Sequence, residues 1–175
     1  MVQASPRTTL VLGGARSGKS AYAEALVEAH PAPWLYLATA RAWDDEMRER
    51  IALHRARRPD GWITRDVPMD LPEAVAAADG PVLVDCLTLW LTNLILADAD
   101  VEAAGSALIA ACAGARGPVV LVGNEVGLGI VPDNALARRF RDAAGRLHQR
   151  LAGRAERVVF MVAGLPMIVK PGAQP

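Results

Sequence analysis

Cysteine is scarce in this chain of 175 residues, with only Cys86 and Cys112 present. Each lies in an apolar or alanine-rich run, and neither belongs to a C-x-x-C spacing with a neighbouring histidine pair. Structural metal sites and disulfide frameworks need such groupings, so we expect two buried free thiols with no functional role.

A net charge and a long apolar run are also missing. Nineteen basic and nineteen acidic residues cancel, which removes any global attraction to nucleic acid or to an anionic membrane. Although 52% of the residues are hydrophobic, no apolar run reaches the eighteen or so residues of a membrane span. The N-terminus also lacks the basic and then apolar order of a secretory signal. These features predict a cytoplasmic enzyme with no membrane span and no nucleic-acid partner.

A glycine-rich stretch carries the strongest functional signal in the chain. It follows an apolar run typical of a buried strand, at 8–12, and precedes helix-forming residues at 21–28. This order places a bound anion at the positive end of a helix. An ordinary turn would leave the following Lys-Ser pair unexplained. The predicted phosphate-binding residues are Gly13, Gly14, Ala15, Arg16, Ser17, Gly18, Lys19 and Ser20. Lys19 is expected to contact the β- and γ-phosphates, and the Ser20 hydroxyl to hold Mg²⁺.

The rest of the sequence alternates short apolar runs with helical patterns. This alternation predicts an α/β fold, with a mostly parallel (mixed) sheet flanked by helices on both faces. The predicted strands are 8–12, 34–38, 62–65 at an edge, 81–85, 119–122, 158–163 and a candidate at 166–170. The length fits a single catalytic domain over 1–175, with 1–7 and 171–175 flexible.

Two predicted helices carry specific expectations. The segment 87–96 is apolar nearly all round, and so it is either a core helix or an oligomer contact through Trp90 and Leu94. A long helix should begin after a cap at Asp133. Its expected buried stripe comprises Leu136, Phe140, Ala143, Leu147 and Leu151.

Two acids stand where predicted strands end. Asp85 closes the strand 81–85, a position where phosphate-loop enzymes place a carboxylate that orients the metal. Capping of the next helix is an equally good explanation for Asp85. Glu125 lies in a glycine-rich segment, 123–132, that is typical of a shaped loop at a site.

A helical pattern from Asp44 carries Arg50, His54 and Arg58 at a spacing of four residues, so the three side chains share a helix face. A solvated basic helix end would explain the arginines. Phosphate contacts around a reactive imidazole would explain the histidine as well. The residues alone leave both interpretations open.

Four segments of the chain resemble one enzyme family, the bifunctional adenosylcobinamide kinase/adenosylcobinamide-phosphate guanylyltransferase of cobalamin biosynthesis. They are 13–20, 44–59, 124–132 and 138–146, in the family's order. The resemblance implies a phosphate-loop (P-loop) fold of the recombinase-like branch, ATP and GTP as substrates with Mg²⁺, and a homotrimer. The segment 87–96 would be one possible contact in that trimer.

The resemblance also implies two reactions. The aminopropanol hydroxyl of adenosylcobinamide is first phosphorylated, and GMP from GTP then passes through a covalent guanylyl-histidine to the phosphorylated product. His54 would be that histidine, Arg58 a nucleotide contact, and Lys19, Asp85 and Glu125 catalytic helpers.

Two positions vary in the family: some relatives carry histidine at the place of Leu53, and relatives often carry asparagine at the place of His148. Their roles stay open. The alternatives are a monofunctional small-molecule kinase without a covalent intermediate, and a regulatory nucleotide-binding switch.

Overall fold

The computed structural model describes residues 7–41 and 58–172. These residues form a seven-stranded sheet and five helices. The strands are β1 (Thr8–Gly13), β2 (Trp34–Ala38), β3 (Trp62–Asp66), β4 (Val82–Asp85), β5 (Val119–Asn124), β6 (Arg157–Val162) and β7 (Leu165–Pro171). The helices are α1 (Lys19–Glu28), α2 (Leu71–Ala76), α3 (Leu87–Leu96), α4 (Val101–Gly114) and α5 (Ala135–Arg154).

The strand order is β3-β2-β4-β5-β1-β6-β7. Every neighbouring pair is parallel except β6 and β7, which form an antiparallel hairpin at one edge. The predicted mixed, mostly parallel sheet is therefore confirmed. Because β4, β5 and β1 lie side by side, the residues that follow these strands meet at the same edge of the sheet.

Helices cover both faces of this sheet, as its strands require. Alternate residues of a strand point to opposite faces, and the central strands are apolar on both. On one face Val11 and Leu83 pack with Ala23 and Val27 of α1. On the other face, strand residues pack with the other helices around Trp90. Full burial of a valine or leucine side chain contributes about 1.5–3 kcal/mol.

The segment 87–96 is a core helix. Trp90 and Leu94 are buried within the chain, and the Trp90 indole N–H donates to the Met69 carbonyl at 2.8 Å. Core packing therefore accounts for these two side chains. Cys86 and Cys112 are free and buried, as expected. No helix in the described ranges is both long and apolar enough to cross a bilayer.

The predicted start of the long helix was wrong by one residue. Asn134, rather than Asp133, caps α5, because its side chain accepts a hydrogen bond from the Ala137 N–H at 2.7 Å. Leu136 was also wrongly assigned to the buried stripe: it is 54% exposed. It lies in the first turn of α5, before the helix reaches the core, whereas the stripe residues Ala143, Leu147 and Leu151 are buried.

Strand β7 extends through Pro171, which pairs with Arg157. This is one residue into the range that we expected to be flexible. The parts of that expectation that concern 1–6 and 173–175 lie outside the described residues.

Glycine is required where the turns before β4 and β5 touch. A Cβ atom on Gly117 would lie 2.5 Å from the backbone carbonyl carbon and oxygen of Gly80, while one on Gly114 would meet nothing within 4 Å.

We expect Gly117→Ala to lower the free energy of unfolding by about 1–3 kcal/mol, because backbone atoms must move. Gly114→Ala should be neutral or up to about 1 kcal/mol stabilising, since Gly114 ends α4. Urea unfolding of both variants measures the difference, and equal stabilities would contradict it.

Candidate active site

The glycine-rich stretch forms the connection from β1 to α1, as predicted. Gly13 is the last residue of β1, and a Cβ atom there would lie 2.7 Å from both the Met161 carbonyl oxygen and the Ser17 Oγ. Gly18 has a φ of 90° and immediately precedes α1. Both positions thus need glycine, one for close approach and one for its backbone conformation. The loop ends at a helix N-terminus, where backbone N–H groups and the helix dipole favour an anion.

Two neighbouring elements hold this loop in place. The Glu125 N–H, just after β5, donates to the Gly13 carbonyl at 2.9 Å, and the Gly164 N–H donates to the Ser17 carbonyl at 3.1 Å. Gly164 and Ala163 form the β6–β7 turn, with φ values of 80° and 51°. Sequence reasoning missed this support. The Ala-Gly pair between two apolar runs was the available signal, since such turns favour positive φ.

Lys19 is the buried cation of the loop. It is only 7% exposed, and its Nζ donates to the Gly14 carbonyl at 2.5 Å and lies 3.4 Å from Ser17 Oγ. Burial lowers the pKa of Lys19, and the nearby Asp85 and Cys86 oppose that shift. The ammonium lies against the loop, and a phosphate group bound there would compensate the desolvation cost of burying this charge.

Ser20 and Asp85 are brought together by the sheet. The Ser20 hydroxyl donates to Asp85 Oδ2 at 2.8 Å, and the Tyr36 hydroxyl donates to the same oxygen at 2.8 Å. The capping alternative for Asp85 is wrong, because Cys86 precedes α3 and no side chain caps that helix. A hydroxyl and a carboxylate are hard oxygen donors that suit Mg²⁺, which takes few protein ligands when it also binds phosphates. The pair therefore fits the predicted metal.

Tyr36 is a site residue that the sequence analysis missed. Burial raises the pKa of Tyr36, as does the neighbouring Asp85, so the hydroxyl stays protonated and donates its hydrogen bond to the carboxylate. A polar hydroxyl inside an otherwise apolar strand was the available signal, but its partner depends on β2 lying beside β4.

Buried polar side chains fix the backbone that carries Asp85. The Thr39 hydroxyl accepts from the Cys86 N–H at 2.9 Å and donates to the Cys86 carbonyl at 2.7 Å. Asn93 donates to the carbonyls of Thr39 and Pro68, each at 2.9 Å. Thr39, which follows β2 at the edge where parallel sheets bind ligands, is thus committed to structure. Such fully paired networks stiffen a site.

Glu125 and Arg58 have partners within the chain. The Glu125 carboxylate accepts from the Gly127 N–H at 2.5 Å, and so it shapes the loop that it begins. Arg58 donates to Thr64 Oγ1 at 3.0 Å and pairs with Glu24 at 3.3 Å, while its guanidinium lies over the Tyr36 ring. Arg58 is therefore separated from Asp85 by a tyrosine. Its predicted nucleotide contact and the catalytic role of Glu125 stay predictions.

The proposed nucleophile cannot be placed in this geometry. His54 falls in 42–57, outside the described residues, together with Asp44, Arg50 and Leu53. In the parts of the chain that are described, no group of three or more histidine, cysteine or acidic side chains is arranged to hold a metal ion.

The fold and this loop define a class, the phosphate-loop nucleotide-binding α/β proteins. Solved structures with a similar fold include the flagellar accessory protein FlaH from Methanocaldococcus jannaschii, with a TM-score of 0.54 and 11% identity over 95% of this chain and 79% of that one. The RadB recombinase matches with a TM-score of 0.52 and 16% identity, over 89% of this chain and 74% of that one. These likenesses concern the fold alone, and they agree with the predicted mostly parallel sheet flanked by helices.

The sequence gives a closer assignment. A family model described as "Cobinamide kinase / cobinamide phosphate guanyltransferase" matches residues 9–169. The bifunctional adenosylcobalamin biosynthesis protein CobP of Pseudomonas aeruginosa is 51% identical, over 92% of this chain and 96% of that protein. CobU of Salmonella typhimurium, which carries the same description, is 42% identical over 92% and 98% of the two chains. The chain belongs to the cobinamide kinase/cobinamide phosphate guanyltransferase family, which confirms the predicted enzyme class.

His148 provides a pH-dependent prediction beside the site. It is buried on α5, its Nε2 has no partner among the described residues, and it lies against Gly123 near the end of β5. Burial lowers the pKa of His148, an effect that Glu125 opposes. The unfolded chain therefore takes up a proton near the ordinary pKa of about 6.5, while the folded chain does so only at lower pH.

The consequence is a loss of stability as the pH falls from about 6.5 toward the lowered pKa of the folded state. In His148→Gln this contribution should disappear. Between about pH 7.5 and pH 5, the wild type should lose more free energy of unfolding than the variant, by at most about 1.4 kcal/mol per pH unit. Urea unfolding at several pH values measures this, with His30→Gln as a control for the removal of a less buried histidine. Parallel profiles for wild type and His148→Gln would refute the prediction.

Proposed function

We propose that this chain is a single catalytic domain that phosphorylates adenosylcobinamide with ATP or GTP and then converts the product to adenosylcobinamide-GDP. The observation that carries the proposal is the Ser20–Asp85 pair beside Lys19 at the phosphate loop. The match to the family over residues 9–169 supports cobinamide as the substrate.

In the first reaction, a substrate hydroxyl oxygen attacks the γ-phosphorus of the nucleotide. An O–P bond forms, the bond from the γ-phosphorus to its bridging oxygen breaks, and the nucleoside diphosphate leaves. Lys19 and the backbone N–H groups at the start of α1 stabilise the charge on the phosphates. Ser20 and Asp85 would hold Mg²⁺, which would supply positive charge against the triphosphate. Glu125, the second carboxylate at this sheet edge, is assigned to the acceptor side, where it takes up the proton that the attacking hydroxyl releases.

In the second reaction, the neutral imidazole of His54 attacks the α-phosphorus of GTP. An N–P bond forms and pyrophosphate leaves. A phosphate oxygen of the cobinamide phosphate then attacks the same phosphorus, the N–P bond breaks, and His54 returns to its neutral form. Covalent catalysis suits this transfer because it divides one difficult displacement into two easier ones. A histidine is suitable because it is nucleophilic near neutral pH.

Transfer of the α-³²P label from GTP to the protein tests the covalent step. Wild type should acquire an acid-labile, base-stable label, as expected for a phosphorus–nitrogen bond, and His54→Ala should acquire none. Lys19→Ala should lose both activities, because both need the triphosphate held in the loop. His54→Ala should keep phosphorylation of cobinamide, which isolates the histidine's role.

Two results would refute parts of this proposal. If wild type phosphorylates cobinamide but never becomes labelled, the covalent step is refuted and the chain is a monofunctional kinase. Persistent label in His54→Ala would place the nucleophile elsewhere. Far-ultraviolet circular dichroism and thermal melting of each variant establish that the fold is retained.

We further propose a cytoplasmic homotrimer. Because Trp90 and Leu94 are packed inside the chain, we move the expected contact from 87–96 to the edge strand β7. Its apolar side chains at Leu165, Met167 and Val169 are exposed, and an exposed strand edge readily pairs with another chain. Sedimentation equilibrium should give three times the monomer mass, and Val169→Asp should lower it. A monomeric wild type would refute the trimer.

A further inference from the structure

Tyr36 occupies a position that the proposed reactions do not yet use. It is buried on β2, and its hydroxyl donates to Asp85 Oδ2 at 2.8 Å. The same oxygen accepts from the Ser20 hydroxyl at 2.8 Å. Two donors that bind the same carboxylate oxygen fix the rotation of the Asp85 carboxylate. The direction in which the other oxygen, Oδ1, points is therefore fixed as well.

The Tyr36 ring is itself clamped. The Arg58 guanidinium carbon lies 3.2 Å from the ring centroid, and the Trp62 ring meets the tyrosine ring edge-on at 5.9 Å. The Arg58 side chain is only 6% exposed, and Glu24 of α1 and Thr64 of β3 hold it in place. A cation that stacks on an aromatic ring while bound at its edges restrains the ring between two secondary-structure elements.

We propose that Tyr36 is a positioning residue that aims the Asp85 carboxylate at the metal–nucleotide complex, with Arg58 holding the tyrosine in place. The proposal rests on the proposed function only in taking the ligand to be a nucleoside triphosphate with Mg²⁺. In this proposal Arg58 acts on the Asp85 carboxylate indirectly, because it contacts Tyr36 and holds the tyrosine ring in place. A tyrosine hydroxyl serves this purpose because it supplies one fixed donor on a rigid ring, whereas a phenylalanine would fill the same space without orienting the acid.

The test compares the same conservative substitution at the two tyrosines of the chain, Tyr36 and Tyr22. Tyr36→Phe removes the hydroxyl bound to Asp85. Tyr22→Phe is the matched control, since the Tyr22 hydroxyl accepts from Arg157 Nη2 at 3.3 Å, away from the carboxylate. Calorimetric titration with a GTP analogue that has a methylene group between the α- and β-phosphates, and so cannot react at the α-phosphorus, is run once with Mg²⁺ and once with EDTA. The difference gives the part of the affinity that depends on the metal.

Tyr36→Phe should weaken binding of the analogue about tenfold with Mg²⁺, because partners that orient a metal-binding group have effects of this size. Its affinity in EDTA should match that of wild type, and Tyr22→Phe should match wild type in both media. An equal loss in both media would show that Tyr36 only supports the fold, and so would overturn the proposal. No loss in either medium would overturn it as well.

A double-mutant cycle with Asp85→Ala completes the test. If Tyr36 acts through Asp85, adding Tyr36→Phe to Asp85→Ala should cause no further loss of Mg²⁺-dependent affinity. Additive losses would overturn the proposal. Because the readout is binding, it is independent of the proposed activity. A wild type that binds the analogue with Mg²⁺ but, with GTP, neither turns over cobinamide nor becomes labelled would refute the proposed function alone.

Discussion

The hydrogen bond between Ser20 and Asp85 joins residues 65 positions apart and is the contact on which the site depends. It forms only because β5 lies between β1 and β4, so that all three strands end at one edge of the sheet. The apolar strands are buried on both faces, and a shift of register would break their packing. The hydrophobic core therefore sets the distance between the phosphate loop and the acid.

The backbone around this contact is stiffened by paired polar groups rather than by apolar packing alone. Thr39 binds both backbone groups of Cys86, and Asn93 ties the end of β2 to the segment before α2. A buried carbonyl or N–H left without a partner costs about 1–3 kcal/mol, so these side chains stabilise a turn that could not otherwise be buried. The result is a rigid frame on which Asp85 is oriented.

Features set by local sequence were predictable, and features set by strand order were not. The phosphate loop, the acid at Asp85 and the main strands follow from short patterns of glycine, apolar and polar residues. The cap of α5 was missed because Asp133 and Asn134 are adjacent and both residue types make good caps. The bond from Tyr36 to Asp85 needs β2 beside β4, and such non-local pairing is not encoded in either segment. The contact between Arg58 and Tyr36 was not predictable either. Arg58 follows other basic residues in the sequence, which suggested a phosphate contact, and its guanidinium lies over the Tyr36 ring.

Lys19 explains why the site should favour a triphosphate over a neutral ligand. Its ammonium is buried, and its hydrogen-bond partners at the loop are a carbonyl and a hydroxyl, neither of which carries a charge. Desolvation penalises this cation, as its lowered pKa indicates, and Asp85 opposes the penalty only in part. Phosphate oxygens would replace neutral acceptors by charged ones, and such hydrogen bonds are roughly twice as strong. Anion binding therefore relieves a cost already present in the folded loop, and the affinity of the loop for phosphate follows from the burial of its own lysine.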